Sequence, residues 1–115
     1  MRLKAEIWVK AYIRRCASKG VPAVVVHHGD DDAGAIFIRV SRLDGTSLLF
    51  GPAPAGLDGA ATDRQWTRRL SPAGQPDEET DAYLARETRT DPDLWLVEVE
   101  DREGRHFLED ELVTP

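Results

Sequence analysis

The chain has 115 residues, 41% of them hydrophobic, with three Trp, three Phe and two Tyr. That is enough to close one modest core and too little for two, so a single domain over 1–115 is expected. Its lone cysteine, Cys16, excludes an intrachain disulfide and a cysteine-built metal site, which points to a reducing, cytoplasmic setting.

No apolar run approaches the roughly 18 residues of a bilayer span. The amino terminus alternates charged and apolar residues through Arg2, Lys4, Glu6 and Lys10, without the uninterrupted apolar stretch of an export signal. The net charge of −6 conceals a polarity. Residues 1–20 set six basic side chains against Glu6, whereas residues 77–115 set fourteen acids against Arg86, Arg89, Arg102 and Arg105. The two ends either attract each other within the fold or offer a basic helix to an acidic partner.

Leu3 to Lys19 reads as a helix rich in Ala and long charged side chains, with Gly20 at the stop and Arg14, Arg15 and Lys19 near the negative end of the dipole. Ala5, Val9, Tyr12, Ile13 and Cys16 fill one arc of its wheel; Leu3, Ile7 and Ala11 form a second, and Trp8 falls among Lys4, Arg15 and Lys19. A helix apolar on two sides needs more than one neighbour. Val21 to His28 is a valine run suited to a central strand, with Pro22 near its beginning.

After the turn at residues 29–34, Ala35 to Ser41 alternates as a second strand. Asp44-Gly45 signals a hairpin into a third strand at Thr46 to Phe50, completing a meander. Gly51 to Asp63 is rich in Pro, Ala and Gly and reads as a flexible surface loop. Arg64 to Leu70 follows as a fourth strand with Trp66 and Leu70 inward. A second helix runs from Asp77 to about Thr90, with acids at its positive end.

Asp91-Pro92 stops that helix. The strand Leu94 to Glu100 then sends Trp95, Val97 and Val99 to one face and Leu94, Leu96, Glu98 and Glu100 to the other. A turn at 101–104 leads to a short last strand near Arg105 to Leu108. The order α-β-β-β-β-α-β-β implies an α+β two-layer domain: a mainly antiparallel sheet of five to six strands, both helices on one face, and the other face partly open around Arg39, Glu98 and Glu100.

Three groups of residues carry candidate chemistry. Asp91, Asp93, Glu98 and Glu100 are the oxygen ligands a hard divalent cation needs, and a metal-assisted phosphodiesterase uses such a set. Pro92-Asp93 and Glu98-x-Glu100 are similar to part of a restriction-nuclease-like site. That family, however, places an Asp on an upstream strand and a lysine where Glu100 stands. A capped, solvated strand edge accounts for these acids more simply.

The basic residues Lys10, Arg14, Arg64, Arg68 and Arg69, with Trp66, have the makings of a phosphate- and base-contacting surface, against which the overall acidity counts. The third group is the surplus apolar side of the first helix: Leu3, Ile7, Trp8, Ala11 and Arg15. His27 and His28, adjacent in a strand, face opposite ways and do not share one ion. No Gly-x-Ser-x-Gly elbow, phosphate loop or dinucleotide fingerprint occurs, and no cofactor is implied.

The segments Leu3 to Ala11 (LKAEIWVKA), Gly34-Ala35-Ile36, Arg64-Gln65-Trp66 and Asp91 to Asp101 (DPDLWLVEVED) together resemble a small bacterial family known only as a domain of unknown function. The resemblance spans almost the whole chain. It implies a cytoplasmic single-domain bacterial protein and brings no catalytic residue or ligand with it. The expectation is therefore a non-catalytic interaction module or accessory subunit that binds a protein partner or a second copy. A metal-dependent hydrolase built on the four carboxylates is the alternative, and nucleic-acid binding the second alternative.

Overall fold

A computed structural model describes residues 2–54 and 63–113. The elements follow in the order α1 (Ala5–Ala17), β1 (Ala23–His27), β2 (Ile36–Ser41), β3 (Thr46–Pro52), β4 (Trp66–Arg69), β5 (Gln75–Pro76), α2 (Asp77–Thr90), β6 (Trp95–Glu100) and a closing 3-10 turn at Glu109–Glu111. The class is α+β, with two helices and a mixed six-stranded sheet ordered β1-β6-β2-β3-β4, β5 pairing on β3. Most of the flexible loop expected at Gly51 to Asp63 lies outside the described residues, and its first two residues extend β3.

The three-strand meander does not form. β6 inserts between β1 and β2, antiparallel to β1 (Val25 opposite Val97) and parallel to β2 (Ile38 opposite Val97). A parallel pair requires a crossover, and α2 lies within it. The side-chain parity expected for β6 holds. Trp95, Val97 and Val99 join Ile36, Ile38, Val40, Phe50 and Trp66 in one core, which Ala5, Trp8, Val9, Tyr12 and Cys16 of α1 cover. Leu94 and Leu96 join Phe37 and Leu49 in a second core beneath Leu84 of α2.

Because β2 residues of alternating parity enter the two cores, the helices lie on opposite faces rather than together on one. The face expected to stay open around Arg39 is consequently occupied. Arg39 sits under α2, ion-paired with Asp81 and, at 3.2 Å, with Asp77, and it neighbours Glu98 in register.

Local chemistry sets the element ends. α1 lacks a side-chain cap; the backbone carbonyls of Asp32 and Asp31 instead accept the Ala5 and Glu6 N–H groups, both at 3.0 Å. Gly20 closes the helix in the left-handed region at φ 74°. α2 begins at Asp77 and ends at Thr90 as expected, and the Asp91 carboxylate accepts the Asp93 N–H at 3.1 Å to turn the chain into β6. A buried polar chain joins α2 to the sheet: Ser47 Oγ lies 2.8 Å from Thr80 Oγ1, to which Gln75 Nε2 also donates at 2.7 Å.

Three strand expectations fail. β1 is an edge strand, not a central one, since β6 takes its inner side and nothing among the described residues pairs with its outer side. The last strand at Arg105 to Leu108 is absent. Its backbone is drawn elsewhere: the Asp101 carboxylate accepts from the Arg105 N–H (2.8 Å) and guanidinium (2.9 Å), Tyr12 Oη donates to the His106 carbonyl (2.5 Å), and Arg15 donates to the Phe107 carbonyl (2.7 Å). Leu70, expected inward, lies past the end of β4 and is exposed.

This carboxyl-terminal segment wraps α1 and reaches the far edge of the sheet. Trp8 stacks on Tyr12 (5.0 Å) and packs at a tilt against Trp66 (4.3 Å), and its indole N–H donates to Glu111 at 3.0 Å. Leu112 bridges to Trp66, whose carbonyl accepts the Val113 N–H at 2.8 Å. His106 packs against Phe50, and its Nδ1 accepts the Leu108 N–H at 2.9 Å, which requires an unprotonated Nδ1.

Two outcomes are expected. Trp66→Ala empties the junction of α1, β2 and β4 and removes the donor to the Ile36 carbonyl. It should cost about 3–5 kcal/mol in urea unfolding, and a loss under about 1 kcal/mol would contradict the packing. Burial, aided by nearby Arg68, holds the His106 pKa below its ordinary 6.5. The unfolded chain therefore takes up a proton that the folded chain refuses, and the associated stability is complete above about pH 6.5 and lost as pH falls towards the folded value. Wild type should lose more stability than His106→Gln between about pH 7.5 and 5.5; equal losses would refute the assignment.

Candidate interaction surface

The structure disperses the carboxylates. Asp91 turns the end of α2 and Asp93 is exposed beyond it, while Glu98 lies beside Arg39 on β6 and Glu100 is exposed at the strand's end. Among the described residues no three His, Cys, Asp or Glu side chains gather as a metal site. His27 and His28 part as expected. His27 Nδ1 meets the Leu94 carbonyl at 2.7 Å, and since a carbonyl only accepts, that nitrogen carries the proton. His28 sets its ring edge-on to Trp95 at 4.1 Å and approaches Asp31 at 3.0 Å.

The basic residues are likewise divided. Arg64 is buried and donates to the Gly34 (3.2 Å) and Asp32 (3.3 Å) carbonyls. Arg69 lies over Phe37 in the α2-side core and bonds Tyr83 at 3.2 Å and the Pro52 carbonyl. Arg68, one residue earlier, takes the opposite face, over Phe50. Lys10 pairs with Glu6 at 2.8 Å, and Arg14 is exposed on α1.

The apolar surplus of the first helix also divides. Trp8 is buried, and Arg15 lies beside it at 5.8 Å from the ring, bonded to Glu111 at 2.6 Å; both serve the carboxyl-terminal wrap. Leu3, Ile7 and Ala11 remain exposed, with Ile7 at 50%.

A further exposed apolar stretch, outside the three groups of residues expected from the sequence, lies on β1. Val24, Val25 and Val26 of β1 are 57%, 39% and 55% exposed, three consecutive valines on a sheet edge that no other described residue pairs with. A continuous valine run reads as a strand covered on both faces. Only Pro22, a residue suited to edges, signals otherwise.

The register identifies the free backbone groups. The Glu100 N–H donates to the Pro22 carbonyl at 3.0 Å, so Pro22 and Val24 face β6, whereas Ala23 and Val25, opposite Val99 and Val97, direct N–H and C=O away from the sheet. A shift in register between Val25 and His27 ends this regular stretch. Between β1 and α1 runs a groove of about 320 Å³, lined by Val9, Ile13, Val25 and Trp95 and rimmed by Glu6, Lys10 and His28. Lys10 holds the Glu6 carboxyl below the usual range, so the rim carries a formed ion pair. No described helix is long and apolar enough to cross a membrane.

Comparisons with known proteins agree with this architecture. A family described as "Protein of unknown function (DUF1491)" matches residues 3–109. The crystal structure of a DUF1491 family protein from Caulobacter crescentus CB15 is 40% identical, with a TM-score of 0.79 over 98% of this chain and 99% of that one. An NMR structure of a DUF1491 family protein from the same organism gives 42% identity and a TM-score of 0.78, covering 98% of each chain. The solution structure of a protein from A. tumefaciens is 45% identical, with a TM-score of 0.73 over 87% of this chain and 86% of that one. No curated protein matches the chain. With the family match spanning nearly every residue from α1 to the final turn, the chain belongs to the DUF1491 family.

Proposed function

We propose that the chain is a non-catalytic protein-interaction module that binds an extended segment of another polypeptide along the free edge of β1. The observation that carries this reading is the pairing of outward backbone groups at Ala23 and Val25 with three exposed valines. Unpaired N–H and C=O groups on a sheet edge are a template for another strand. Added strands gain affinity from main-chain hydrogen bonds and specificity from adjoining pockets. The groove beside Val25 supplies such a pocket, apolar at its base and charged at its rim.

The acidic and basic residues favour no competing site. The carboxylates are spread over the end of α2 and the length of β6, and Arg64 and Arg69 are committed to internal carbonyls.

Val25→Pro tests the reading selectively. The Val25 N–H points away from β6, so proline removes a docking donor without removing a bond of the sheet. A synthetic peptide of alternating threonine and valine, titrated into dilute protein, should perturb amide resonances of residues 22–28 and slow exchange at Ala23 and Val25. In Val25→Pro these effects should vanish while the thermal transition stays within a few degrees. Perturbation centred elsewhere, or none in wild type, would sink the proposal.

A further inference from the structure

We infer that the strand received by β1 is β1 of a second copy of this chain, joined antiparallel about a two-fold axis at Val24. This rests on the edge-docking reading above and adds the partner's identity. The register makes the strand complementary to itself. Centring the pair on Val24 sets Ala23 of each copy opposite Val25 of the other, and these are the residues whose N–H and C=O groups point outward. Both outward pairs are satisfied at once. Val24, whose own backbone groups are spent on β6, meets its counterpart as a non-hydrogen-bonded pair, the arrangement that brings side chains closest.

Charge favours the same partner. A strand paired with itself brings every charge near its own copy's strand, and Val21 to His27 contains no Lys, Arg, Asp or Glu. Its flanks carry opposite signs: Lys19 precedes the strand, while Asp30 and Asp31 follow it, and all three are exposed. Antiparallel pairing centred on Val24 directs Lys19 of each copy towards Asp30 and Asp31 of the other. A parallel arrangement would instead set the acids of both copies together. The register shift after Val25 confines the joint to Ala23–Val25, and the other sheet edge, at β4, is bridged by Leu112. A closed pair rather than an open fibre follows.

Sedimentation equilibrium of the full chain, with amide exchange in parallel, tests this. Wild type should show a reversible monomer–dimer equilibrium, with exchange at Ala23 and Val25 slowing as concentration rises. Val25→Pro should raise the dissociation constant at least tenfold. Lys19→Glu should raise it several-fold, and adding Asp31→Lys should restore it. A dimer insensitive to Val25→Pro overturns the self-pairing, and the peptide titration at β1 then decides the edge reading separately. Loss of the dimer in Val25→Pro with no effect of Lys19→Glu overturns the antiparallel register. A monomer up to millimolar concentration that still binds the threonine–valine peptide at β1 overturns self-pairing alone; a monomer that binds no peptide overturns both.

Discussion

The entry of β6 between β1 and β2 is the constraint on which the other features of this fold depend. β6 is antiparallel to one neighbour and parallel to the other, so the chain must cross from one end of the sheet to the other before laying the strand down. α2 lies in that crossing and packs Leu84 against Phe37, Leu49 and Leu96. With α1 over the opposite face, β6 and β2 are covered on both sides. Val97 and Ile38, side by side in the parallel ladder, are accordingly fully buried. The same insertion displaces β1 to the margin.

Beyond β6 the chain is held by side chains rather than by a ladder. Tyr12, Arg15 and Trp8 present a phenol, a guanidinium and an indole N–H to the segment from His106 to Glu111, each finding a carbonyl or carboxylate there. Burial pushes the Tyr12 hydroxyl far above its ordinary pKa, which keeps it a donor. Here the contrast between the basic first helix and the acidic last segment has a concrete meaning. Arg15 meets Glu111 inside a partly buried cluster, where a charge-assisted hydrogen bond is stronger than at an exposed site. Trp8, which looks like a docking residue on a helical wheel, becomes an internal one.

The two sheet edges are treated differently. At β4 the carboxyl-terminal segment bridges through Leu112 and Val113 to Trp66. At β1 protection consists of Pro22 at the start and a register shift after Val25, both of which shorten the exposed stretch without covering it. Valine at three consecutive exposed positions offers no charge against pairing. The groove beside it brings Val25 against Val9 and Ile13 of α1 and ends at a rim of Glu6, Lys10 and His28; Ile7 and Leu3 are exposed elsewhere on the helix. Exposed valines with outward backbone groups, beside an apolar groove, are the ground on which a binding role is proposed.

Local rules were enough to read much of this from the chain. The Ala-rich first helix with Gly20 after it, the acidic start of α2 at Asp77, the Asp91-Pro92 stop and the two-residue alternation of β6 all depend on interactions within a few residues, and each is found where expected. The order of strands, the placement of one helix on each face and the free edge at β1 depend on which distant segments meet. A valine run is equally at home inside a sheet or at its margin. Only the insertion of β6 decides that Val24 to Val26 meet solvent, and only the wrap of the carboxyl-terminal segment decides that Trp8 does not. The sequence by itself determined both helices, most of the strands and the alternation of side chains along β6, because those follow from local backbone geometry. The tertiary structure alone decided which faces and edges remain uncovered, because coverage is settled by pairings between residues some seventy to a hundred positions apart.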